Sequence, residues 1–238
     1  MPIQPQPPSH EFDILQYSPW LAMDDIDWSF LIENLVPVPY QNGEVLYNAD
    51  EIPSTVFLVK EGRVCLSIYS MNGDERIVFI AESGCLLGDV SIINNMPNLC
   101  RATVVTNSLI YKIPAYQFRE KITANLSLCR NMMISMSRTT QLLILQMKLL
   151  SFHNSVYRVC YALIHLVHQY SSPTIGGYKV NMKFSHQDIG NLTGLSRVSV
   201  SNILSDMVKH GIIGKSGGFY LIKDVDALYE LLHKNEDS

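Results

Sequence analysis

An α+β fold with strands and helices segregated along the chain is what this sequence predicts, and three observations predict it. Short runs rich in Val, Ile and aromatic residues fill Val36 to Ile113. The apolar spacing turns helical from Pro114 to Tyr170. Finally "SHQDIGNLTGLSRVSVSNILSDM", residues 185–207, sets two short helical patterns on either side of a single glycine, Gly194.

At 238 residues the chain holds one large or two modest domains with cores of their own. Residues 1–18, with prolines at 2, 5, 7 and 8 and little apolar pattern, read as a flexible arm. The strand-like runs that follow are "EVLYNA", "TVFLVK", "RVCLSIYS", "ERIVFIA", "RATVV" and "LIYKI". Glu61-Gly62 and Asn72-Gly73 sit between apolar runs as turn signals, and Asn-Gly is a strong hairpin marker because both residues tolerate positive φ. Regular short strands with such turns predict a small antiparallel barrel or sandwich.

Pro114 suits the first turn of a helix, since its missing N–H has no partner there anyway. In the helical stretch Met132, Met136, Leu143, Met147 and Leu150 repeat at helical intervals, and Leu142, Leu145, Leu149 and Phe152 form a second apolar stripe. A helix with two apolar faces needs two partners: its own domain and a twin helix from a second copy. The plainer alternative is a core helix with Met as filler.

Around Gly194 the spacing is self-consistent. Ser185 and Asp188 form a capping box, Ser196 can cap the second helix, and Ile189, Leu195, Val200 and Ile203 fall where two crossing helices pack, with Gly190 allowing close approach. This is a helix-turn-helix, whose second helix enters the DNA major groove. "GIIGKSGGFYLI" then supplies two strand-like runs joined through Gly214, Lys215, Ser216, Gly217 and Gly218, a wing. On the outward face Arg197 suits guanine, Asn202 suits adenine, and Val198 can meet only a thymine methyl; Ser201 shares that face. His186, Gln187, Ser196, Ser199 and Lys215 are candidates for phosphate contact, which positions the protein without reading sequence.

Charge agrees with that division. Residues 1–124 hold 7 Lys and Arg against 15 Asp and Glu, and residues 125–238 hold 11 against 7, so a polyanionic partner belongs to the second half. No GxSxG, HExxH, P-loop or GxGxxG pattern occurs, so no catalytic residues are assigned and an enzyme is not expected. Five cysteines, at 65, 85, 100, 129 and 160, fall in no metal-like spacing, which predicts free thiols and no metal site. The most apolar run, "QLLILQMKLLSF", is interrupted by Gln146 and Lys148, so a cytoplasmic chain without a membrane span is expected.

Together these features resemble the Crp/Fnr family of bacterial regulators over roughly residues 30–225, with "IGNLTGLSRVSVSNIL" similar to the family's helix-turn-helix and "LLGDVSIINNMPNLCRAT" to its phosphate-binding cassette. The resemblance implies an N-terminal antiparallel β-roll (double-stranded β-helix), a long dimerisation helix and a C-terminal winged helix-turn-helix. It also implies their extents: a cyclic-nucleotide-binding-like effector domain over 19–124, the dimerisation helix over 125–153 and the DNA-binding domain over 154–238. By the same resemblance Gly88, Asp89, Arg101, Ala102 and Leu143 are the effector-binding residues, with Arg101 meeting an anion and Asp89 a hydroxyl. The implied partners are double-stranded DNA with a palindromic operator, a second copy of the chain and RNA polymerase.

This chain departs from the family pattern in ways that bear on the effector. Asp89 replaces the usual glutamate, and Leu143 and Ile144 stand where a polar pair would meet an adenine, so a small anionic or aromatic effector is expected rather than cyclic AMP. Arg101, in an apolar roll, must otherwise pair with Asp89. A third possibility is an effector-independent module with a vestigial pocket. No cysteine precedes Cys65 and no histidine lies between residues 11 and 152, which argues against an iron-sulfur or haem cofactor; Pro2 resembles a terminal haem ligand without the histidine to match. Val198 and Asn202 stand where the family usually has an acidic residue and a second arginine, so the operator differs from the common one.

Overall fold

The computed structural model of the protein describes residues 17–235; residues 1–16 of the predicted arm, Pro2 among them, lie outside the described residues. The first half is a β-roll followed by helices, and the second half is a helical unit with a four-stranded sheet, as the fold class requires.

Two long strands frame the roll. β1 (Trp20–Leu21), β2 (Val38–Tyr40) and β3 (Val45–Tyr47) precede β4 (Thr55–Tyr69), which runs antiparallel to a later strand, Arg101–Pro114, over its whole length from Thr55↔Pro114 to Ser67↔Arg101. The sequence divided each of these into two strands; each is one. Glu61-Gly62 is a bulge and not a turn: Gly62 has φ +93°, and a Cβ there would lie 2.1 Å from Ser108 Oγ and 2.7 Å from its Cα. The register shifts between Val59 and Val64 bend the strand pair and curl it into the roll. Asn72-Gly73 does make a hairpin, from which β5 (Glu75–Ala81) returns along β4. β1 pairs parallel with β5, the exception in an otherwise antiparallel sheet. β6 (Leu86–Leu87) and α1 (Asp89–Asn94) complete the cassette before β7 (Arg101–Pro114).

The helices follow. α2 (Ala115–Ala124) begins directly after Pro114, and Asn125 separates it from α3 (Leu126–Phe152), capping α3 by accepting from Leu128 N. α3 serves two cores. Leu128, Met132 and Leu142 pack into the roll, whereas Leu145 and Leu149 pack into the C-terminal unit. Met136, Leu143, Met147, Leu150 and Phe152 are exposed, so Met132 and Phe152 each belong to the opposite face from the one the spacing suggested.

Asn154 caps α4 (Ser155–Tyr170), whose apolar residues are the centre of the second core. β8 (Ser171–Thr174) and β9 (Gly177–Val180) form a hairpin that Pro173 and two glycines disguised in the sequence. α5 (His186–Thr193), α6 (Arg197–Lys209), β10 (Ile213–Ser216), β11 (Phe219–Ile222) and α7 (Val225–Lys234) complete the unit, in sheet order β10-β11-β9-β8. Gly214 and Lys215 lie in β10; Gly217 and Gly218 alone make the turn, both at positive φ (59° and 85°) as a two-residue hairpin of the primed type demands.

Candidate functional site

A partly open cavity of about 340 Å³ lies between the roll and α3. Its walls come from β4, β5 and β6, its floor from the start of α1, and its roof from Ser135, Met136, Thr139, Thr140 and Leu143 of α3. Gly88 caps α1 at φ +81°, a backbone that side-chain-bearing residues rarely adopt, with Thr55 O only 3.3 Å from where a Cβ would stand. Asp89, 8% exposed, is pushed up to about 6 by burial, an effect that the backbone N–H groups of Asp89 and Val90 partly offset. Burial also raises the Tyr47 phenol and the Cys100 thiol, keeping both neutral.

Of the five residues assigned to the effector, the structure brings Gly88, Asp89 and Leu143 to the cavity. Arg101 and Ala102 do not line it. Cys100, the residue before β7, does; Arg101 is half-buried outside the lining, and Ala102 is fully buried within the roll core. None of the ion pairs among the described residues joins Arg101 to Asp89, and Arg101 Nε is buried with no hydrogen-bond partner there. Ile144 points to solvent. Sequence reasoning missed Tyr47, Asn98, Thr139 and Thr140; the threonines stood one turn before Leu143, at the spacing that shares a helix face.

The helix-turn-helix is built as its caps dictate. Asp188 N donates to Ser185 Oγ (3.1 Å) and Ser185 N to Asp188 Oδ2 (2.7 Å), a full capping box for α5. Gly194, at φ +75°, ends α5, and Ser196 Oγ accepts from Ser199 N (3.0 Å) to start α6. Gly190 has to be glycine, since a Cβ would lie 2.6 Å from Leu195 O. On α6 Arg197, Val198 and Asn202 are exposed and Ser201 is half-buried.

Around them the polar groups are partnered. Lys215 Nζ donates to His186 Nε2 (2.9 Å), Gln187 Nε2 donates to Asn191 Oδ1 (2.7 Å), and Ser196 and Ser199 hydroxyls lie 2.9 Å apart. Burial, then the charges of Lys215 and Arg197, lower the His186 imidazole. Lys179 and Lys183 stack over Phe219 at the wing and add charge that sequence reasoning did not assign. Lys179 lies in β9 and Lys183 in the segment leading to α5, and their place beside the wing becomes apparent only once the sheet order is known.

The two halves are tied at one joint. Asn191 Nδ2 donates to Glu75 Oε2 (2.8 Å) and the Arg76 guanidinium lies against Gly194, while within the C-terminal unit Arg158 Nη1 donates to Thr193 O (2.7 Å) beside the joint. Trp20 packs edge-on to both Tyr170 and Phe184, and Tyr170 OH donates to Glu82, which also pairs with Arg63.

A roll with a cavity against one long helix, joined by that helix to a winged helix-turn-helix, defines a DNA-binding regulator with a small-molecule domain. Comparison with known proteins agrees. Residues 37–125 match the cyclic nucleotide-binding domain and residues 157–231 the Crp-like helix-turn-helix domain. The chain is 25% identical over 197 residues to the anaerobic regulatory protein of Pasteurella multocida, covering 81% of this chain and 70% of that one. To the cyclic AMP receptor protein of Thermus thermophilus it is 24% identical over 196 residues, covering 81% and 86%. Among solved structures, CLP of Xanthomonas campestris, described as a c-di-GMP responsive global regulator, superposes with a TM-score of 0.73 at 15% identity, covering 82% of this chain and 96% of that one. FixK2 of Bradyrhizobium japonicum does so at 0.69 and 20%, covering 83% and 96%. The chain belongs to the Crp/Fnr family of transcriptional regulators, DNA-binding proteins rather than enzymes, whose Crp-like members act as dimers. Among the described residues no helix is long and apolar enough to cross a membrane, and no group of three His, Cys, Asp or Glu gathers as a metal site.

Proposed function

We propose that the protein is a homodimeric, sequence-specific regulator in which a small effector, other than cyclic AMP, enters the cavity under α3 and biases the placement of the recognition helices. Residues 19–124 act as the effector domain, 125–153 as the dimerisation helix and 154–238 as the DNA-binding domain. The observation that carries the reading is the position of α3, whose Met136 and Leu143 form part of the cavity roof and also belong to its exposed apolar stripe. A ligand beneath that stripe touches the surface on which a second copy would pack, and differential affinity for two such arrangements is what gating requires. Two α6 helices one turn of DNA apart, about 34 Å, read a palindrome, and RNA polymerase is the partner at a promoter.

In this reading Arg197, Val198, Ser201 and Asn202 read bases, and His186, Gln187, Ser196, Ser199 and Lys215 meet phosphates. Arg197→Ala then costs roughly 1–3 kcal/mol per half-site on the operator and almost nothing on random DNA, whereas Lys215→Ala weakens both about equally. Competition binding at fixed salt measures both, and equal losses for Arg197→Ala remove its base-reading role. The absence of a lining cation favours the alternative of an effector-independent dimeric module. That alternative predicts that no ligand in the cavity changes operator affinity.

A further inference from the structure

We infer that the cavity takes an uncharged, mainly apolar ligand that presents a hydrogen-bond acceptor beside a donor, as a carboxamide does, and that it rejects cyclic nucleotides and organic acids. This names the ligand class for the effector reading above and rests on it.

The argument starts from the groups that face the space. A volume of about 340 Å³ walled by Leu66, Val78, Phe79 and Leu87 suits a ligand of drug-like size whose bulk is apolar. No Lys, Arg or His lines it, so a phosphate or carboxylate would be buried without a counter-charge and beside Asp89, which is itself 8% exposed. The expectation of an anionic effector rested on Arg101, whose place in the lining is held by Cys100.

Hydrogen-bonding capacity narrows the class further. Asn98 lines the cavity, is 2% exposed, and its Nδ2 has no hydrogen-bond partner among the described residues. Its backbone is fixed on both sides, Asn98 N donating to Glu51 O (2.9 Å) and Asp50 N to Asn98 O (2.8 Å), so the amide stays in place. An unmet buried donor costs about 1–3 kcal/mol, which a ligand acceptor recovers. Tyr47, kept neutral by burial, accepts from Gly88 N and keeps its own O–H as a second donor, while the remaining polar groups act as acceptors. Thr139 and Thr140 spend their hydroxyl hydrogens on Ser135 O (3.0 Å) and Met136 O (2.8 Å), and Ser91 spends its hydrogen on Pro97 O. Asp89 accepts when ionised. Donors at Asn98 and Tyr47 among several acceptors are complementary to a neutral group with an acceptor oxygen and at least one N–H or O–H. The raised Asp89 pKa fits the same picture, since a second negative charge would push it further up.

The test uses three probes on the full-length protein by isothermal titration: naphthylacetamide, its isosteric acid naphthylacetate, and cyclic AMP. The amide is expected to bind at least roughly tenfold more tightly than either of the others, a difference of about 1.4 kcal/mol. Asn98→Leu should reduce amide affinity by about the same factor. Asp89→Asn, which removes a charge and keeps the shape, should narrow the gap between acid and amide. Tighter binding of the acid or of cyclic AMP overturns the ligand class and leaves the effector reading standing. Binding of none of the three, by protein that still binds its operator, overturns both.

Discussion

The cavity and the recognition surface are opposite in build. At the surface nearly every candidate side chain is exposed or already hydrogen-bonded to a neighbour, as Lys215 is to His186 and Gln187 to Asn191. In the cavity Asn98 Nδ2 is buried and unmet, and Asp89 is held away from water. Exchanging a surface hydrogen bond for one to DNA costs little, so affinity there comes from charge and shape. Filling the cavity recovers bonds that neither the protein nor bulk water satisfies, so affinity there comes from a match of donors and acceptors. One region selects by presenting groups, the other by withholding them.

The largest effect should come from breaking the frame of the surface and leaving the cavity alone. Gly190→Val drives a branched side chain into Leu195 O, backbone that cannot give way without changing the α5–α6 crossing. A loss of roughly 3 kcal/mol is expected, at the upper end of the range for overpacked core substitutions. Hydrogen exchange should accelerate in α5, α6 and the wing while β4 and β7 stay protected, and operator binding should disappear. Equal loss of protection in the roll would mean that the two regions are one cooperative unit.

Acidity separates the regions next, because each buries a group titrating between about pH 3 and 6 and the two act on stability with opposite sign. Asp89 titrates near 6 in the fold against an ordinary 3.8. Between those values the unfolded chain has lost its proton and the folded one keeps it, so stability falls as pH rises from about 4 to 6 and stays lower above. Asp89→Asn should therefore stabilise the protein by up to about 3 kcal/mol at pH 7, with the gain vanishing near pH 4. His165, buried against Tyr161 in the C-terminal core, is depressed to about 3 by burial and then by the neighbouring His168 charge. Here the unfolded chain gains the proton first, so stability is lost as pH falls below about 6.5, by about 2 kcal/mol at pH 5. Denaturant melts from pH 4 to 7 of the protein, Asp89→Asn and His165→Phe resolve the two slopes. A slope unchanged by His165→Phe would assign the acid sensitivity elsewhere.

The same contrast explains what could be read without coordinates. The helix-turn-helix is contiguous: its caps, turn glycine and outward face occur within residues 185–202, and each local rule acts on neighbours in sequence. The cavity draws on residues from Tyr47 to Leu143, brought together by the long β4–β7 pairing, and no spacing rule connects Asn98 with Thr140. Arg101 is assigned to the anion by resemblance alone, and which of the neighbours Cys100 and Arg101 reaches the cavity depends on where β7 begins, a boundary that composition does not mark. The bulge in β4 was hidden because Glu61-Gly62 has the composition of a turn, and only the proximity of Ser108 identifies it as a kink in a continuous strand.

The smallest predicted effect tests whether the two regions communicate through the joint. Glu75 accepts from Tyr69 OH (2.9 Å) and from Asn191 Nδ2 (2.8 Å), and Asn191 in turn accepts from Gln187 on the first turn of α5. The hairpin beside the cavity is thus connected by three side chains to a group proposed to meet phosphate. Glu75→Ala leaves the Asn191 amide half-satisfied at a partly solvated site, for which about 1 kcal/mol is expected. Arg197, Val198 and Asn202 remain exposed in the docked arrangement, so the joint does not cover the reading face. Releasing it should cost preorganisation, lowering affinity for specific and random DNA alike by up to roughly fivefold. Tighter DNA binding by Glu75→Ala would reverse the assignment and make the docked arrangement the restrained one. The Asn191→Ala, Glu75→Ala double-mutant cycle then fixes how much of either effect belongs to the bond itself.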